Sequence, residues 1–99
     1  MRKEAEPMAT RHEAETLALR ALGWIAGDEE MLGHFMAASG ASPAELRARA
    51  QEPEFLGAVL DFLLMDDNWV TGFCDAEALD YTAPARARAA LPGGAPDWG

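Results

Sequence analysis

Pro53-Glu54-Phe55-Leu56-Gly57-Ala58-Val59-Leu60-Asp61-Phe62-Leu63-Leu64-Met65 decides the reading of this chain. Phe55, Leu56, Val59, Leu60, Leu63 and Leu64 recur at i, i+3, i+4 spacing, the beat of one helix face. Phe62 and Met65 stand beside that face, so the segment is nearly apolar all round. Such a helix belongs at the centre of a bundle. Pro53 suits its first turn, where a missing N–H costs nothing. Asp61 marks its narrow solvent face, because unpaired buried carboxylates are rare. The stretch is too short to cross a bilayer and carries this charge.

Upstream, Thr10-Arg11-His12-Glu13 reads as a capping box. The helix it opens sets Ala14, Leu17, Ala18, Ala21, Leu22 and Ile25 on one stripe, widened by Leu19 and Trp24, and Gly27 ends it. Asp28 caps a second helix, with Glu29 and Glu30 in its first turn, where the helix dipole favours negative charge. Met31, Leu32, Phe35 and Met36 face inward, and Gly40 stops the segment. Ser42-Pro43-Ala44-Glu45 is a second capping box, opening a short helix with Leu46, Arg47 and Arg49.

Downstream, Asp66-Asp67-Asn68 breaks the central helix and caps a fifth, which presents Trp69, Val70, Phe73 and Cys74. Asp75 to Tyr81 reads as a turn or short helical piece, and residues 83–91 as a last helix with Pro84 in its first turn. No segment alternates as a strand does. The expected fold is all-α: a compact bundle of five to seven short helices spanning residues 10–91. A flexible arm (1–9) precedes it and a loose tail (92–99) follows.

A shift of 38 positions superimposes the two halves. Leu17 falls on Phe55, Ala21 on Val59, Ile25 on Leu63, Asp28 on Asp66, Met31 on Trp69 and Phe35 on Phe73. One inserted residue then brings Arg47-Ala48-Arg49-Ala50 onto Arg86-Ala87-Arg88-Ala89. This pattern predicts two pseudo-repeated three-helix units, neither able to bury its apolar face alone.

The chain has 99 residues, the size of one domain, and an apolar fraction of 49% that suffices for a packed core. Its 17 acidic and 8 basic side chains give a formal charge of −9. That field repels nucleic acid phosphates and anionic membranes, so neither is expected as a partner. Cys74 is the single cysteine and has no internal disulfide partner, which fits a reducing compartment. The charged N-terminus lacks a following apolar run and does not read as a secretory signal. These features predict a cytoplasmic protein.

No candidate for chemistry survives a comparison with what that chemistry requires. Asp66-Asp67-Asn68 begins like a calcium loop, but Thr71 stands where such a loop needs glycine and Trp69-Val70 interrupts the ligands. Glu30 and His34 lie four apart on one helix, too few ligands for structural zinc. His12 has no visible partner. Cys74 lies on an apolar face, with neither histidine near it in sequence, and reads as core. Arg47, Arg49, Arg86 and Arg88 form the one basic cluster beyond the N-terminal arm, and are expected to pair with carboxylates. No catalytic residue, metal or cofactor is expected.

The run Ala14-Glu15-Thr16-Leu17-Ala18-Leu19-Arg20-Ala21-Leu22-Gly23-Trp24 has a familiar pattern. So have Leu32-Gly33-His34-Phe35, Pro53-Glu54-Phe55-Leu56 and Val59-Leu60-Asp61-Phe62-Leu63. With the ending Ala85-Arg86-Ala87-Arg88-Ala89-Ala90-Leu91-Pro92-Gly93-Gly94, they resemble a family of short alphaproteobacterial proteins, domain-of-unknown-function family 3572. The likeness runs over residues 12–94. It implies a compact helical cytoplasmic protein and supplies no activity, ligand or site residue.

The leading expectation for function is a non-catalytic interaction or adaptor module, with a protein partner or a second copy of the chain bound between helices. The alternative is a regulatory domain that senses a small ligand, with a pocket between the two units lined by Trp24, Met31, Phe62 and Trp69.

Overall fold

The computed structural model describes residues 10–92. Six helices follow in order: α1 (Arg11–Ala26), α2 (Glu29–Ser39), α3 (Pro43–Arg49), α4 (Pro53–Leu63), α5 (Asp67–Glu77) and α6 (Ala83–Ala89). No strand occurs among the described residues. The expected arm (1–9) and all but the first residue of the expected tail (92–99) lie outside them.

Each helix start has a local cause. Thr10 Oγ1 accepts from the Glu13 N–H at 3.1 Å, and Glu13 Oε1 accepts from the Thr10 N–H at 3.2 Å. Ser42 and Glu45 form the same reciprocal pair. Asp28 Oδ1 accepts from the N–H groups of Glu30 and Met31, and Asp66 Oδ1 from that of Asn68. Caps of this kind satisfy N–H groups that have no partner within the helix. Pro43, Pro53 and Pro84 sit in the first turns of α3, α4 and α6.

The helix ends were harder to read. Gly40 closes α2 at φ 75°, a left-handed conformation natural to glycine. α5 runs on to Glu77, into the stretch read as a turn or short piece, and Ala78 closes it at φ 58°. The N–H groups of Ala78 and Leu79 both turn back to the Cys74 carbonyl, which holds Ala78 in place. A left-handed alanine is costly, by about 1–2 kcal/mol, whereas glycine's extra freedom when unfolded offsets about 0.4–1. Ala78→Gly should therefore gain about 0.5–1 kcal/mol, measured as a rise of a few degrees in Tm. The last helix stops at Ala89, shorter than the expected 83–91, and Leu91 is buried beyond it.

α1 packs against α4, α6 and α2, and α4 also meets α6 and α2. α4 is the buried centre that its sequence predicts: Phe55, Leu56, Gly57, Val59, Leu60, Phe62 and Leu63 are all buried. α1 meets this centre through Ala14, Ala18, Ala21 and Ile25, a face mostly of small side chains. Phe35 of α2 lies edge-on to Phe55 and Phe62, with ring centroids 5.9 and 5.2 Å away. Two residues depart from the expected stripes. Leu19 is 46% exposed and Met65, just past the end of α4, is 71% exposed. α4 ends at Leu63; Met65 follows Asp61 by four residues onto the same outward side, and Leu64 is half-buried.

Asp61 does stand on the exposed side of α4, and it is paired. Arg88 of α6 grips it with two bonds, Nε to Oδ1 at 2.6 Å and Nη2 to Oδ2 at 3.0 Å. Arg88 Nη1 also donates to the Pro92 carbonyl at 3.2 Å. The guanidinium lies over Gly57, where an added Cβ would come within 2.8 Å of Nη1.

Candidate functional site

Two concave surfaces stand out among the described residues. The first is an apolar groove of about 400 Å³ between α1, α2 and the α3 region. Its walls include Leu19, Leu22 and Ala26 of α1, Leu32 of α2, and Pro43 and Leu46 of α3. Leu19, Leu22 and Ala26 follow each other at helical spacing on the flank beside the Ala14-Ala18-Ala21-Ile25 face given to the core, about a quarter-turn round the helix. α1 is thus apolar on two adjacent flanks, and the second is only partly covered. Sequence reading merged the two stripes, because leucine carries no mark of which side it serves.

The second is a cleft of about 320 Å³ lined by Trp24, Asp28, Glu30, Met31, His34 and Trp69. It lies where the end of α1, the start of α2 and the start of α5 converge. Three of the four aromatic and methionine positions singled out from sequence, Trp24, Met31 and Trp69, come together here. Phe62 does not line it. That ring is buried beneath Trp69, stacked at 4.8 Å, and borders a smaller cleft with Phe35, Ala58 and Met65.

The indoles are held from behind. Trp24 meets Phe73 edge-on at 5.9 Å, and its Cζ2 lies where a Cβ on Gly72 would be only 3.1 Å away. Trp69 stacks on Phe62, and the His34 ring lies 6.5 Å from it by centroid. From sequence Asp28 reads as a cap, and Glu30 as a first-turn charge and, with His34, as too few ligands for zinc; all three line the cleft. Asp28 keeps its capping bonds while bordering the cleft. Among the described residues, no arginine pairs with Asp28 or Glu30; the arginine ion pairs are Arg11–Glu15, Arg20–Glu77, Arg49–Glu52 and Arg88–Asp61.

Of the remaining candidates, Arg47 lines the groove and the others stand apart from both surfaces. Cys74 is fully buried, its Sγ 3.4 Å from the Asp80 carbonyl, and burial followed by the nearby Asp75 and Asp80 pushes its thiol up toward the protonated form. A protonated, covered thiol is a poor nucleophile. Arg86 bonds Thr82, and Arg49 lies over the Phe55 ring at 4.7 Å. His12 is exposed at the start of α1. No group of three or more His, Cys, Asp or Glu side chains among the described residues is placed to hold a metal ion. None of the described helices is long and apolar enough to cross a membrane.

Among the described residues, the fold and these surfaces define a small all-α protein with an apolar groove and an aromatic, acidic cleft. A family model matches residues 11–94, and the chain belongs to that family, Protein of unknown function (DUF3572). None of the curated proteins matches the chain, and none of the solved structures does.

Proposed function

We propose that this protein is a non-catalytic interaction module whose apolar groove receives an amphipathic helix from a partner protein. The observation that carries this reading is the groove, above all Leu19, whose side chain reaches 46% exposure beside Leu22 and Leu32. Uncovered apolar surface in a concave row is what a partner helix fills with its i, i+3/i+4, i+7 anchors. The whole chain carries −9 and Glu29 precedes Leu32 on α2, which favours a basic polar face on the partner; Glu15, one turn before Leu19, is already paired with Arg11. Arg47 in the wall favours an acidic residue at that one edge. The same charge disfavours nucleic acid.

A photo-crosslinker at position 19, with exposed Ala76 on α5 as the control site, tests the reading in cells. The expected result is one partner captured from position 19 and not from 76. Its linked peptide should read as a basic amphipathic helix, and Leu22→Glu should abolish the capture. A crosslink to a second copy of the chain, or the same products from both sites, would overturn it.

We also infer that the two halves are duplicated units. In support, α2 and α5 have the same length at an offset of 38 residues. Asp28 and Asp66 both cap, and Gly40 and Ala78 both close in the left-handed region. In this reading the groove is formed within the first unit, and the cleft forms between the two.

A further inference from the structure

We propose that the cleft between α1, α2 and α5 is a binding site for a small organic cation of the alkylated ammonium class. Its walls carry two indoles, Trp24 and Trp69, two carboxylates, Asp28 and Glu30, and the His34 imidazole, with Met31 buried beside them. An alkylammonium group needs this combination: polarisable ring surface for its methyl groups, and negative charge that does not require a directed hydrogen bond. At about 320 Å³ the cleft matches a compact ligand and lies at the small end of ligand pockets.

The charge balance favours a cation. The start of α2 contributes about half a positive elementary charge. Asp28 and Glu30 at the cleft, with Glu29 in the same turn, outweigh it. No lysine or arginine lines the cleft, and its one basic side chain is the His34 imidazole. The indoles are also preorganised, because Phe73, Gly72 and Phe62 hold them without a ligand. Little ordering cost then falls on binding. This site is separate from the groove, so either assignment stands if the other fails.

The test is a titration of the full chain with choline, read by the indole N–H signals in an NMR spectrum. The uncharged isostere 3,3-dimethylbutan-1-ol serves as the control. The chain has three tryptophans, and single Trp→Phe variants assign their signals. Saturable shifts confined to Trp24 and Trp69 are expected with choline, and binding of the isostere about tenfold weaker or absent. Asp28→Asn with Glu30→Gln keeps a capping side chain and removes both charges. That double variant should hold its Tm within a few degrees and lose choline affinity about tenfold. Equal binding of the isostere, shifts centred on Trp98, or an unchanged affinity in a folded double variant would overturn the assignment.

Discussion

Phe35→Ala will leave this domain unfolded or nearly so, with an expected loss of about 3–5 kcal/mol. The ring is 1% exposed and lies edge-on to both Phe55 and Phe62. Through Phe62 it also supports Trp69. Removing it takes away the transfer energy of a whole aromatic side chain, leaves a cavity that the helices close only in part, and breaks two ring-edge contacts. Native domains are stable by about 5–15 kcal/mol, and a small one sits toward the lower end because it buries less of its surface. Urea unfolding followed by helical circular dichroism should show the midpoint collapse. Phe35→Leu should lose less, since it leaves a smaller void. A loss below about 1 kcal/mol for the alanine variant would show that the ring does not hold α2 to α4.

Ala18→Leu should be the most harmful enlargement in α1, costing about 1–3 kcal/mol or more. Alanine and leucine differ little in helix propensity, so the effect comes from packing alone. Ala18 is fully buried on the face that α1 turns to its neighbours, with Ala14 and Ala21 one turn to either side. Small side chains let helix axes approach closely, and a leucine there must push α1 away from its neighbours or adopt an unfavourable rotamer. Ala37→Leu, on the exposed side of α2, is the control and should stay within about 0.5 kcal/mol of the parent. Equal stability of the two variants would place the close approach elsewhere.

Much of the fold was legible because its signals are local. Thr10 with Glu13, and Ser42 with Glu45, announce helix starts within four residues, and the periodicity from Phe55 to Leu63 marks the buried centre. Signals that depend on the rest of the molecule were not legible. Ala78 adopts a left-handed conformation without glycine or asparagine to announce it, so the last turn of α5 was missed. Leu19 and Met65 are as apolar as their buried neighbours; the packing of α1 exposes Leu19, and Met65 falls four residues after Asp61 on the outward side. Arg88 and Asp61 are 27 positions apart, beyond any short-range pairing rule. At the cleft, Trp24, Met31 and Trp69 could be grouped because they are large apolar side chains close to the helix breaks at Asp28 and Asp66. Asp28 and Glu30 could not, since each already had a sufficient role at the start of α2. Phe62 was assigned to the wall because one helical turn separates a lining position from a supporting one.

Arg88 lying across Gly57 makes two distant positions answer to each other. The bare stretch of α4 backbone is a berth for a flat cation, and that cation fastens the closing segment of the fold to its middle. Any side chain at 57 evicts the tenant, and once the tenant is gone, filling the berth does little further harm. Changes at 57 and 88 are thus not independent, and the cost of making both falls short of the sum of the two.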